Sequence, residues 1–273
     1  MTRRNNSENK IYLFLGSPFY LLLIILILIP IILMLFYSIT ENATFGIPSN
    51  IILSFDNYLN FFREAVFINL LLESLKLAFF ATLLSFSIGY PIAYLISNLR
   101  PKIRGILILL ITAPMWINML IRTRALQQIF EIINPALLGT DFAIIAGMTY
   151  NYLPFMILPI YTVLSKIDKS LLSSSYDLGA NRIQTFLKIT FPLSISGVLS
   201  GVMMVFLPSA TTLVIPKYLG EGRYLIGNLI ENAIIQQGNF GRGSAIAIVM
   251  SILIFILIYF IRKFDVKLDY ENE

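Results

Sequence analysis

The chain has 273 residues, of which 57% are hydrophobic and only 13% charged, and its mean hydropathy is +0.80. That is far too apolar for a soluble domain of this length, so the sequence needs a bilayer as solvent. The formal charge of +5 does not point to nucleic acid, because the basic residues lie between the apolar runs, as topology signals do. Cysteine and histidine are both absent, which excludes disulfides, thiolate metal sites, cysteine nucleophiles and a serine-hydrolase triad with an imidazole base.

The apolar runs are about 20 residues long, the length that spans a hydrocarbon layer of about 30 Å. A run such as Leu21 to Ile29 has no polar face, unlike the alternating strands of a membrane barrel, so the expected fold is an all-α integral membrane protein. In chain order we expect a cytoplasmic tail over 1–12, a first transmembrane helix over 13–37, an extracytoplasmic loop over 38–73, a core permease-like domain over 74–262 and a cytoplasmic tail over 263–273. The first run is too long, and too poorly flanked by small residues, for a cleaved signal peptide. Within the core, hydropathy places spans at 74–97, 106–121, 142–164, 193–216 and 244–261, which gives six helices in all.

Charge gives the orientation. The tail before residue 13, residues 98–105, residues 165–192 and the end of the chain hold thirteen Lys and Arg, against six on the alternate segments. The richer side is expected to be cytoplasmic, which puts both termini inside and requires an even number of crossings. Inside these spans there is no Asp, Glu or Arg, and Lys76 lies in the first turn of the second, where it can snorkel. A proton- or sodium-driven carrier keeps such groups near the midplane, so the driving force is expected from another subunit. This chain has no G-x-x-x-x-G-K-[ST] loop for ATP; the glycines at 220–222 and 241–243 lack the lysine and serine that the loop requires.

The most informative stretch is the inside loop 166–192, which reads as two short helices. Asp168 caps the first, whose apolar Leu171, Leu172 and Leu178 give way to Gly179, a residue suited to the left-handed conformation that ends a helix. Asn181, with Gln184 three residues on, caps the second, and Ile183, Phe186 and Leu187 fall on one face. Pro192 then marks entry into the fifth span. An interfacial amphipathic connector is the plainer reading of such a segment.

The spacing S-x-x-x-D-L-G-A-x-x-x-x-x-F-x-x-I-x-x-P resembles the EAA loop of binding-protein-dependent ABC importer permeases, with Gly179, Phe186, Ile189 and Pro192 at the family's glycine, aromatic, aliphatic and proline positions. The family's Glu-Ala-Ala is here Ser173, Ser174 and Ser175. The resemblance implies the type I importer permease (MetI-like) fold and a coupling helix that docks on an ATPase, with Leu171, Leu172, Ser173, Asp177, Gly179, Ala180 and Phe186 as contacts. Further phrases, among them APMWINMLIR at 113–122, YNYLPFMILPIY at 150–161 and LIGNLI at 225–230, are similar to the spermidine/putrescine permeases within that family.

That resemblance implies a non-catalytic membrane subunit in the cell membrane, with no metal or cofactor of its own and ATP with magnesium held by the partner ATPase. The partners it implies are a second related permease, two ATPase copies, an extracytoplasmic polyamine-binding protein and membrane lipid, with no nucleic acid. A passage for a polyamine suits aromatic faces, carbonyls and carboxylates that bind weakly, which makes Trp116, Asn118, Tyr150, Asn151 and Tyr152 near span ends and Glu131, Asp141 and Glu231 on outer segments the path candidates. The same aromatics suit an interfacial belt, the carboxylates suit solvated loops, and Arg122 and Arg124 read as lipid-headgroup, loop or binding-protein contacts. Permeases for an iron chelate or a phosphonate, a standalone secondary carrier, and a non-transporting scaffold are the competing readings.

Overall fold

The computed structural model describes residues 4–41, 43 and 52–271. Parts of the two expected tails, residues 1–3 and 272–273, and most of the loop around 44–51 lie outside the described residues. The helices are α1 (Arg4–Ser38), α2 (Asp56–Arg63), α3 (Ala65–Ser97), α4 (Pro101–Thr112), α5 (Met119–Ile133), α6 (Asp141–Leu164), α7 (Lys169–Asp177), α8 (Arg182–Thr185), α9 (Phe191–Thr211), α10 (Val214–Leu219), α11 (Ile226–Glu231) and α12 (Phe240–Glu271). The chain divides into two compact units, one of residues 1–64 and 230–250 and the other of 65–229 and 251–273.

In the first unit, α1 carries an apolar window with mean hydropathy 3.2 and no burial, a surface suited to the hydrocarbon of a bilayer. Its C-terminal end is clasped by polar groups. Asn57 Nδ2 donates to the carbonyls of Ser38 and Thr40, each at 3.1 Å, and Tyr58 Oη donates to Ser38 Oγ at 2.7 Å. Gly241 lets the start of α12 approach this clasp, since a Cβ there would stand 2.8 Å from the Thr40 carbonyl oxygen.

The core of the second unit is built by α3, α6 and α9. Leu77, Ala81 and Ala93 of α3 meet Ile144, Met148, Met156, Ile157 and Ile160 of α6, all fully or almost fully buried. Between α6 and α9 the contact is backbone-close because Gly197 and Gly201 form a G-x-x-x-G stripe. A Cβ on Gly197 would lie 2.9 Å from the Pro159 carbonyl oxygen and 3.1 Å from Ile160 Cα.

Among the described residues five helices are long and apolar enough to cross a membrane, and a sixth crossing exists if one bent pair counts as a single span. That pair is the expected third span. The sequence suggests one helix over 106–121, but the chain turns through a 3-10 segment (Ala113–Trp116) and bends by 95° before α5 begins. Pro114 and the Asn118 cap explain the break, since a proline lacks the N–H that would continue the ladder and the Asn118 side chain takes the Leu120 N–H at 2.8 Å. As a result Arg122, expected on a loop, stands in the first turns of α5 and is buried.

The fifth span also differs from its expected form. It begins at Arg182 rather than 193, because α8 runs into α9 through a π-turn (Phe186–Thr190) in which the Phe191 N–H donates to the Phe186 carbonyl. The shifted ladder fits the missing N–H of Pro192, the second residue of α9. At its far end α9 stops at Thr211, two residues before the separate helix α10. Gly227 permits that end to be approached by α11, since a Cβ there would fall 2.5 Å from the Thr211 carbonyl oxygen, and Asn228 Nδ2 donates to the Leu213 carbonyl at 2.8 Å.

The glycine stripe yields a paired prediction. Gly197→Ala pushes a methyl against main chain that cannot yield and should destabilise the protein by about 1–3 kcal/mol. Gly105→Ala, in α4 with nothing within 4 Å of the new Cβ, should be neutral or slightly stabilising. Thermal unfolding of both variants in detergent or lipid checks this; equal melting temperatures would refute the close packing of α6 on α9.

Candidate functional site

The segment 166–193 folds as a helical hairpin whose turns follow from its residues. The Asp168 side chain accepts from the Ser170 N–H at 2.9 Å, and that backbone donor holds the Asp168 carboxyl below the usual carboxylate range. The cap is therefore charged at neutral pH and weakens only as acid protonates it. At the end of α7, Gly179 takes φ +84°, while its N–H donates to the Tyr176 carbonyl at 2.9 Å and the Ala180 N–H to the Ser175 carbonyl at 3.0 Å. This pair of bonds is a Schellman ending. Asn181 and Gln184 form the reciprocal capping box, with 2.9 Å in both directions.

Ser175, one of the three serines at the Glu-Ala-Ala positions, shares a 2.8 Å hydrogen bond with Thr185 and so joins the two arms of the hairpin. Ser173 turns back to the Lys169 carbonyl at 3.2 Å. The outward surface is apolar. Leu171, Tyr176, Leu178, Ile183 and Leu187 are exposed, Leu178 to 89%, and Asp177 and Gly179 are exposed beside them, while Leu172 and Ala180 are half-buried.

Phe186 does not share that outward surface. Its ring meets Tyr90 and Tyr94 of α3 edge to face, with centroids 5.8 and 5.5 Å away, and Tyr90 Oη is paired with Ser194 Oγ of α9 at 2.8 Å. A cavity of about 290 Å³, lined by Phe86, Tyr90, Pro91, Phe186, Leu187 and Phe191, lies beside this joint. Neither tyrosine stands among the residues singled out from the sequence, although their spacing of four in GYPIAYLI puts them on one helix face.

The structure disperses the path candidates. Trp116 is 88% exposed at the end of the 3-10 segment, Tyr150 is exposed, and Glu131 is exposed with Gln127 Nε2 donating to it at 3.0 Å. Asp141 is held in a clasp: Lys76 Nζ lies 2.9 Å from Oδ2 and Arg223 Nη1 2.7 Å from Oδ1, while the Arg223 guanidinium also pairs with Glu73. Burial alone would lower the pKa of Arg223, yet these carboxylates raise it above the usual value, which keeps the clasp charged. Glu231 ends α11, in the other compact unit.

Asn151 and Tyr152 are brought together with the broken helices. Asn151 is fully buried, its Nδ2 donating to the Gly147 carbonyl at 2.9 Å and to Thr123 Oγ1 at 3.2 Å, with Oδ1 unpartnered. Tyr152 Oη reaches the Pro208 carbonyl at 3.4 Å and Met119 Sδ at 3.8 Å. Met119 opens α5 directly after its Asn118 cap, and Pro208 lies in the last turn of α9, so Tyr152 joins the two breaks. Arg122 adjoins this cluster: it is 8% exposed and precedes Thr123, the acceptor of the Asn151 hydrogen bond. Its reading as a lipid-headgroup contact is overturned by that burial. Arg124 instead stacks on the Tyr218 ring at 4.4 Å.

Residues 85–269 match the family model described as the binding-protein-dependent transport system inner membrane component. The chain is 33% identical over 256 residues to the spermidine/putrescine transport system permease protein PotB of Haemophilus influenzae, covering 87% of this chain and 88% of that protein. It is 32% identical over 226 residues to PotB of Escherichia coli, covering 76% and 82%. Among solved structures, a bacterial ABC transporter involved in import of the acidic polysaccharide alginate aligns with a TM-score of 0.73 over 97% of this chain and 98% of that one at 14% identity, a likeness of fold. The MetNI methionine ABC transporter aligns at 0.55 over 74% and 94%, with 18% identity. The chain belongs to the family of binding-protein-dependent ABC importer inner membrane permeases.

Proposed function

We propose that this chain is the spermidine/putrescine permease subunit of an ATP-driven importer, supplying half of the translocation path and receiving motion from a cytoplasmic ATPase through the hairpin 166–193. The observation that carries the cargo is the likeness to PotB at about one third identity across most of both chains. Coupling rests on the hairpin: five large apolar side chains stand exposed on it, and a rigid surface of that kind fits a groove on a protein partner. The complete importer would hold a second related permease, two ATPase copies with ATP and magnesium, and an extracytoplasmic polyamine-binding protein. A solved bacterial alginate ABC transporter bound to its periplasmic protein supports the last of these. The distribution of Lys and Arg supports cytoplasmic termini.

Motion of the hairpin has a covalent and a packed route into the membrane. The π-turn makes α8 and α9 one continuous rod, and Phe186 locks that rod to Tyr90 and Tyr94 of α3. ATP-driven closure of the ATPases would shift the hairpins and with them the balance between inward-facing and outward-facing states.

Two measurements test this reading. Cells lacking this subunit alone should lose most high-affinity spermidine uptake and regain it on complementation; unchanged uptake contradicts the assignment. Gly179→Asp should leave folding largely intact, since nothing lies within 4 Å of the new Cβ, although its φ of +84° costs a non-glycine residue about 1–3 kcal/mol. On a docked surface the added charge should weaken ATPase association about tenfold, or about 1.4 kcal/mol, or uncouple hydrolysis from uptake. Full coupling with normal association would place the docking surface elsewhere.

A further inference from the structure

We propose that Arg122 is the cation barrier of the translocation path, a fixed positive charge near mid-membrane that stops small cations leaking through the resting importer. The inference rests on the polyamine reading above, because a barrier of this sign has a purpose only in a path built for cations.

Depth is the first observation. Tyr152 is the twelfth of the 24 residues of α6, so it and Asn151 stand at the middle of a crossing helix. The breaks before α5 and at the end of α9 converge on Tyr152 through Met119 and Pro208. Irregular backbone at such depth persists only where protein encloses it or where it lines a hydrated passage, and broken helices mark the cargo route in many transporters.

Charge is the second. Arg122 is about nine-tenths buried, and its Nε and Nη1 have no hydrogen-bond partner. Among the described residues no carboxylate forms an ion pair with it. The residue next to it, Thr123, accepts from the fully buried Asn151 at 3.2 Å, which sets Arg122 beside the middle of α6. An ionisable group so deep is expensive and marks a pathway by default. Its sign decides the role, since an unneutralised guanidinium cannot hold an ammonium group and can only repel it. A pore constriction that excludes cations by one arginine works on the same electrostatics. Arg122 lies one turn beyond the Asn118 cap, where its N–H donates to the Asn118 carbonyl at 3.2 Å. It is therefore mounted at a joint, and a shift there moves the charge out of the route during the driven cycle.

The test uses the complete importer in vesicles loaded with rubidium and without ATP. Arg122→Gln should raise rubidium efflux at least about tenfold, the lower end of what a one-signed field changes in local ion supply. Arg122→Lys, which keeps the charge, should stay as tight as the parent. A tight Arg122→Gln complex overturns the proposal, and so does equal leakage of both variants, which assigns Arg122 to packing alone. If Arg122→Gln does not assemble, Asn151→Asp is read instead, because it adds a neutralising carboxylate within the same cluster at almost unchanged shape. Increased efflux with Arg122 in place supports the barrier, and unchanged efflux overturns it. ATP-driven spermidine uptake by the parent complex is recorded in parallel. Its absence counts against the cargo, whereas normal uptake with a tight Arg122→Gln variant counts against the barrier.

Discussion

A bilayer offers no water to a peptide group, so every interruption of a membrane helix has to be answered from within the protein. Among the described residues of the second unit, three such places each have their own answer. The Asn118 side chain caps the break before α5. Gly227 and Asn228 bring a second strand of backbone to the end of α9, where Asn228 takes the Leu213 carbonyl. At Pro192 the ladder changes register through a π-turn and stays unbroken. The core of α3, α6 and α9 is what holds these repairs in place, and its tightest contact depends on two glycines that allow main chain to touch main chain.

The hairpin on the loop 166–193 shows how much local chemistry specifies by itself. Its caps satisfy their own donors, its turn is closed by glycine, and a Ser175–Thr185 hydrogen bond ties its arms, so its geometry does not wait for a partner. A pre-formed surface loses little freedom on docking, which suits the coupling role proposed above. The hairpin presents two different faces: leucines stand exposed on the outside, while the Phe186 ring packs on α3.

Electrostatics divide into an outer and an inner set. On the outer set, Glu73 and Lys76 within α3, Asp141 at the start of α6 and Arg223 neutralise one another and are partly exposed, so they act as a clasp and leave Asp141 engaged. The inner set is Arg122, buried and with no ion pair among the described residues. The same residue type is thus paired and partly exposed in one place and buried without a carboxylate partner in the other.

What the sequence determined by itself was everything that depends on neighbours along the chain. Composition made it a membrane protein, hydropathy placed the crossing regions, and Asp168, Gly179, Asn181 and Gln184 set the hairpin, because caps and turns are satisfied within a few residues. Only the tertiary structure decided the rest. Pro114 and Asn118 already break the third apolar run locally, but only tertiary packing buried Arg122, which looks like a loop residue when read in line. Asp141 and Tyr152 look alike as polar residues near an apolar run, yet one is engaged by Lys76 and Arg223 and the other joins two helix breaks. Those partners lie dozens of residues away, and no periodicity in the sequence encodes a contact of that range.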